Sequence, residues 1–268
     1  MVSIDLSNQV AIVTGGYGAI GGEIATGLSQ AGCFVIVLGR NRQKLDDKVK
    51  ALGGKEKSAG IICDVLDRES LREVNQYIIN HYGKINILVN AAGGNIPRST
   101  QTPDQTIFEL DIDAIGDAID LNLHGTIFPS LIFGQSIATY GGNIINISSM
   151  ATYQSITRVM GYSVGKTGIN AFTKWMAVEM ARKFPEKVRV NAIAPGFFIG
   201  EQNKRLLTNE DGSYTARGQA VINGTPLGRF GNLTECVGLV QFLCSDAASF
   251  ITGTIIPVDG GFSSYSGV

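Results

Sequence analysis

Tyr162 and Lys166 stand four residues apart in Tyr162-Ser163-Val164-Gly165-Lys166, a spacing that places a phenol and an ammonium on one face of a helix. A free phenol has a pKa of about 10, too high for efficient proton exchange near neutrality, and a neighbouring cation stabilises its phenolate. The pair can therefore serve as a general acid and base. Upstream, a β-branched run ends in Asn146-Ile147-Ser148-Ser149, with Ser149 13 residues before the tyrosine. A hydroxyl at the carboxyl end of a parallel strand points into the crevice where ligands of such sheets bind.

A second constellation opens the chain. The run Val10–Thr14 leads into Thr14-Gly15-Gly16-Tyr17-Gly18-Ala19-Ile20-Gly21-Gly22 and then into a helical pattern. Glycines there let backbone N–H groups approach a pyrophosphate, which the positive end of the helix favours, although such a turn can also be purely structural. After the second strand comes Gly39-Arg40-Asn41-Arg42, with no acid. A carboxylate at this place would bind the ribose hydroxyls of NAD(H), whereas Arg can pair with a 2′-phosphate, so NADP(H) is the preferred cofactor and NAD(H) the other candidate. Arg40 and Arg42 can equally be a solvated helix start. Asp64 either accepts from an adenine amino group or caps a helix, for which Asp67 is better placed.

These groups need a frame that brings strand ends together. Short β-branched runs at Val10–Thr14, Phe34–Leu38, Gly60–Cys63, Ile85–Asn90, Gly142–Ser148, Val188–Ala194 and Thr254–Val258 alternate with amphipathic stretches at Ile20–Ala31, Arg68–Tyr82, Ile112–Tyr140 and Tyr162–Arg182. Alternation of this kind predicts an α/β fold: a Rossmann-type, doubly wound, seven-stranded parallel sheet with helices on both faces. Composition does not shift along residues 1–268, so a single domain is expected. The segment 197–224, rich in Asn, Gln, Glu, Thr and Gly, reads as one long irregular piece and a candidate lid over the substrate.

With 22 Lys+Arg against 23 Asp+Glu and a net charge of −1, the chain lacks the basic excess of a nucleic-acid or membrane-surface binder. Four cysteines without a Cys-x-x-Cys pair, and two histidines, give no metal-site spacing, and the cysteines read as buried free thiols. Met1 to Gln9 has no apolar stretch of signal-peptide type, and no apolar run reaches the roughly 20 residues of a membrane helix. The expected location is the cytoplasm.

Taken in order, Thr14-Gly15 through Gly21, Asn90-Ala91-Ala92-Gly93, Asn122 in Leu121-Asn122-Leu123-His124-Gly125, Ser149, Tyr162-x-x-x-Lys166 and Pro195-Gly196 resemble the short-chain dehydrogenase/reductase family over essentially the whole chain. The resemblance implies that Ser149 hydrogen-bonds a substrate carbonyl and Tyr162 exchanges the proton. It further implies that Lys166 lowers the tyrosine's pKa and holds the nicotinamide ribose, while Asn122 positions a relay water. It assigns the cofactor to Gly15, Tyr17, Ala19, Ile20, Arg40, Asp64, Val65, Asn90, Ala91, Gly93, Pro195, Gly196, Phe198 and Ile199 besides Tyr162 and Lys166, and it implies a homotetramer. Two positions depart from the pattern: Ala19 stands where the family usually has glycine, and Gly200 where a threonine often follows Pro-Gly.

The lid sequence Gly200-Glu201-Gln202-Asn203-Lys204-Arg205 and Thr208-Asn209-Glu210-Asp211-Gly212 would make a poor wall for a steroid or acyl chain and suits a hydroxylated substrate. Arg205 or Arg158 could clamp a carboxylate by paired hydrogen bonds, or both are ordinary surface cations. Phe197 and Phe198 are candidates to cover a nicotinamide or the apolar face of a sugar. Gly93-Gly94-Asn95, the stretch 195–203 with Asn203, Leu206–Gly212 and the tail Ser263–Val268 look like the D-mannonate oxidoreductase (fructuronate reductase) branch. That likeness implies hydride transfer between NAD(P) and a sugar acid such as D-fructuronate, with gluconate 5-dehydrogenase-like and 3-oxoacyl-carrier-protein reductases as alternatives. A non-catalytic dinucleotide sensor would not need Ser149, Tyr162 and Lys166 together, and a purely structural partner-binding domain would leave the glycine turn unexplained.

Overall fold

The computed structural model describes residues 4–200 and 203–267. Its strands are β1 (Val10–Thr14), β2 (Phe34–Gly39), β3 (Ser58–Ile62), β4 (Ile87–Asn90), β5 (Gly142–Ile147), β6 (Val188–Pro195) and β7 (Ile255–Val258), joined in the order β3-β2-β1-β4-β5-β6-β7. Every pairing is parallel. The strand order reverses between β1 and β4, which opens a crevice beyond their carboxyl ends.

Alternation along β1 sorts the core. Ala11 and Val13 pack on one face with Ile24 and Leu28 of α1 (Ala19–Gln30) and Val240 and Leu243 of α9 (Val237–Cys244). Val10 and Ile12 pack on the other with Leu71 and Ile78 of α3 (Arg68–Tyr82), Phe133 of α5 (Gly125–Tyr140) and Met176 of α6 (Met160–Lys183). Both faces are thus buried, as a parallel sheet requires. Cys33, Cys63, Cys236 and Cys244 are buried free thiols. Helix α2 (Arg42–Ala51) starts at Asn41, whose side chain caps the Lys44 N–H.

Two expectations need correction. The stretch Ile112–Tyr140 is not one helix. It divides into α4 (Ile112–Ile119), a wide turn over Asp120–His124, and α5. The Asn122 side chain at the break is drawn into bonds with Ala118 O and with Gly94. Nor is 197–224 irregular, since it carries α7 (Lys204–Leu207) and α8 (Ala216–Asn223), linked by a Thr208–Tyr214 bridge. Leu207, Val221 and Phe230 give this segment a small core of its own. Among the described residues no helix is long and apolar enough to cross a membrane, and no metal-holding cluster of His, Cys, Asp and Glu forms.

Candidate active site

Register sets the floor of the crevice. Thr14 pairs with Leu38 and Asn90, and Asn90 with Asn146, so a row of side chains crosses the sheet near its carboxyl edge. The buried Thr14 hydroxyl accepts from the N–H groups of Ala91 and Ala92, both at 3.1 Å, and fixes the chain leaving β4 against the glycine turn. Asn90 donates to Ser130 Oγ and Asn146 Oδ1, and Asn146 to Thr173 Oγ1, a buried network that joins strands to α5 and α6.

The turn after β1 is shaped for close approach. Gly15 has φ 61°, and a Cβ there would lie 2.9 Å from Ala92 Cα. A Cβ on Gly21 would lie 2.7 Å from the Gly15 carbonyl. Helix α1 begins at Gly18 with no side-chain cap, so its first N–H groups face the crevice edge unpartnered by side chains. Donors of this kind fit a pyrophosphate, and the dinucleotide the resemblance implies therefore has a cradle. Tyr17 lies across the end of β2: a Cβ on Gly39 would fall 2.2 Å from its ring, and its hydroxyl accepts from the Arg40 N–H at 3.1 Å. Arg40 leans on Asp64 at 3.6 Å in an exposed pair, while Asp64 also accepts from the Leu66 N–H. The helix cap falls to Asp67.

The proton-handling groups meet on the far side of Gly93. Lys166 is 5% exposed, and its Nζ donates to the Ile147 carbonyl at 2.7 Å. A Cβ on Gly93 would stand 3.3 Å from that Nζ and 2.8 Å from Asn122 Oδ1. Burial pulls the Lys166 ammonium down to about 8. Its Nζ lies 5.7 Å from the centre of the Tyr162 ring. Ser149, whose Oγ caps the Ala151 N–H, lies near enough to the Tyr162 hydroxyl to favour its phenolate, which groups serine, tyrosine and lysine in one place. The expectation of a lowered phenol needs correction, however: burial pushes Tyr162 up, and the Ser149 hydrogen bond offsets this only in part. Lys166 gives one of its three donors to a carbonyl, and sequence spacing carries no measure of desolvation.

Asn122 is fully buried, with both amide hydrogens committed to Gly94 O and Ala118 O and its Oδ1 accepting from Gly94 N–H. Its side chain clamps the loop that carries Gly93 and has no N–H left for a water. Asn203 is likewise occupied, accepting from Gly200 N–H and donating to Phe198 O. The Phe198 ring is buried against Gly231, and the half-buried Phe197 pairs with Phe262. Ile199 packs against the small core of Leu207, Val221 and Phe230. Asn95 donates to Thr100 and Arg205 is exposed on α7, whereas Arg158 bonds Gln101 beside the crevice. Pro195-Gly196 closes against Asp259. The two departures from the family pattern prove to be neighbours: a Cβ on Gly200 would sit 3.2 Å from that of Ala19. Sequence reasoning missed Thr14 as a tie and Arg217, which α8 directs to Thr157; the first had a signal, a threonine immediately before the glycine turn.

A family model described as Enoyl-(Acyl carrier protein) reductase matches residues 16–263, and the chain belongs to the short-chain dehydrogenase/reductase family. It is an NAD(P)-dependent oxidoreductase acting on CH–OH groups. The chain is 38% identical to the uncharacterized oxidoreductase UxuB of Bacillus subtilis (strain 168), with 98% of each covered. A crystal structure from Haemophilus influenza, provisionally described as a D-mannonate oxidoreductase with bound NAD, aligns at TM-score 0.89 and 35% identity over 98% of both chains. A gluconate 5-dehydrogenase from Burkholderia cenocepacia J2315, in complex with NADP and tartrate, aligns at TM-score 0.85 and 27% identity over 98% of both.

The crowding at Gly21 yields a direct test. Gly21→Val should weaken NAD(P)H binding by about tenfold or more, since the branched side chain must displace the Gly15 carbonyl from the cradle. Nicotinamide fluorescence titration measures it, with circular dichroism to confirm folding. Wild-type affinity in the variant would contradict the assignment of this turn.

Proposed function

We propose that this protein interconverts a keto and a hydroxy group on a sugar acid, D-fructuronate and D-mannonate being the preferred pair. The observation that carries the reading is the convergence of Ser149, Tyr162 and Lys166 at a crevice whose opposite side is the glycine cradle. The nicotinamide, when bound, supplies or takes the hydride. Ser149 would hold the carbonyl oxygen and Tyr162 would deliver the proton to it. Lys166, buried and cationic below about pH 8, would supply the positive charge that favours the phenolate left behind. The descriptions of the Haemophilus and Burkholderia structures support an acidic, hydroxylated substrate. So does the polar lid at 197–224.

Gly15, Ala19 and Ile20 would cradle the pyrophosphate, and Tyr17, Arg40, Asp64 and Val65 would meet the adenosine end. Asn90, Ala91, Gly93, Pro195 and Gly196 would line the remainder, with Phe198 and Ile199 contributing backbone. Arg40 favours NADP(H): it needs only to turn from an exposed, weak pair with Asp64 to meet a 2′-phosphate. The exposed Leu131 of α5 and Trp175 and Val178 of α6 support a homotetramer built on these helices. Elution at the mass of a single chain in size-exclusion chromatography would count against it.

The decisive assay follows reduced-nicotinamide absorbance across a panel of keto-sugar acids with both cofactors. D-fructuronate should be reduced, faster with NADPH. Tyr162→Phe should keep its affinity for cofactor and lose turnover by roughly 10²- to 10⁴-fold. Equal activity in the variant would reject the phenol as proton donor, and an inert panel would reject the substrate class.

A pH dependence follows from Lys166. Its charged form prevails below about 8 and is lost above, so kcat/KM for the reduced cofactor, which reports the free enzyme, should be level near pH 7 and decline as pH rises through about 8. A flat profile from pH 7 to 9 would remove the ammonium from the reaction.

A further inference from the structure

Two arginines from distant parts of the chain come together at Thr157, in the loop that runs from Ser149 to Tyr162. Arg158 lies in the loop between Ser149 and α6, four residues before Tyr162. Its backbone is left-handed, with φ 79°, a conformation that costs a non-glycine residue about 1 kcal/mol or more. Its Nε donates to the Gln101 carbonyl at 2.7 Å, and the Gln101 N–H donates to the Arg158 carbonyl at 3.0 Å. The loops that follow β4 and β5 are thereby tied together. Arg217, in the first turn of α8, reaches from the lid: Nη1 donates to Thr157 Oγ1 at 3.3 Å and Nη2 to the Thr157 carbonyl at 3.4 Å.

Both residues are half-buried. Among the described residues neither forms an ion pair, as is also true of Arg68, Arg182, Arg189 and Arg205, whereas Arg40, Arg42, Arg72, Arg98 and Arg229 each meet a carboxylate. Burial disfavours the charge of Arg217, and the nearby Arg158 disfavours it further. A guanidinium offers five N–H donors; Arg158 commits one to protein and Arg217 two, through long bonds. Two cations held close, partly dehydrated and with donors to spare, are unfavourable until an anion lies between them. A carboxylate has the planar pair of oxygens that guanidinium groups grip best.

We propose that Arg158 and Arg217 form a two-part clamp for the substrate's carboxylate, one jaw fixed on the loop before Tyr162 and the other carried by the lid. This rests on the reading of the crevice as a sugar-acid site, and it adds Arg217 as a specificity-determining residue.

Titration calorimetry tests it on the full chain saturated with reduced cofactor, which cannot react with an alcohol. The probes are D-mannonate and D-gluconate, with D-mannitol and sorbitol as carbon skeletons without a carboxylate. Wild type should bind the acids at least about tenfold more tightly than the polyols. Arg217→Gln should weaken the acids by about 10- to 100-fold, the worth of charged hydrogen bonds, and leave the polyols unchanged, while Arg217→Lys recovers part of the loss. Wild-type affinity for the acids in Arg217→Gln, an equal loss for acids and polyols, or no preference for acids in wild type would each overturn the clamp. A preference that depends on Arg217 but comes without hydride transfer in the absorbance assay would uphold the clamp and reject the proposed reaction.

Discussion

The site is organised around one buried ammonium. Lys166 is almost wholly enclosed, and its bond to the Ile147 carbonyl satisfies one of its three donors. A charge in such surroundings is tolerated only where the structure is built about it. The end of β5 must bring a carbonyl to it, α6 must carry it beneath the phenol, and the chain beyond β4 must pass it without a side chain, as Gly93 does. Asn122 completes the arrangement by gripping Gly94 from both sides and holding that bare stretch of backbone in place. The break between α4 and α5 thus belongs to the positioning of Lys166, although it lies on another helix.

Much of this was legible in the residues, and the reason differs from element to element. Helix α3 occupies the bounds read for it because Asp67 caps its start and Gly83, in a left-handed conformation, ends it. The sheet was legible because both of its faces are buried, so its strands stand out as β-branched runs. Ile112–Tyr140 is rich in apolar residues on both sides of Asn122, and the wide turn at Asp120–His124 is where Asn122 bonds Gly94, a contact no local pattern contains. The lid's helices stayed hidden because four and eight residues are too few to establish a period in a polar stretch.

The side chains proposed for proton transfer were identifiable by type and order, but their electrostatics were not. Four-residue spacing establishes that a cation neighbours the phenol. It is silent on how much water each has lost, and here burial acts on both groups, raising Tyr162 and lowering Lys166. Burial therefore reverses the order of the two groups, widens the gap between them and moves both away from their values in water. The aromatic residues after Pro195 illustrate a related gap: the sequence does not show that Phe198 packs on Gly231 and Phe197 pairs with Phe262.

Ala19 and Gly200, so distant in sequence, occupy one patch of space, where a methyl on each would leave only 3.2 Å between them. They amount to a single decision made twice. A side chain introduced at the foot of the lid would press on the opening residue of the helix that faces the cradle, and relief would come from trimming Ala19 to hydrogen. The two positions should consequently change hands together, and neither can be judged conservative or radical until its counterpart is known.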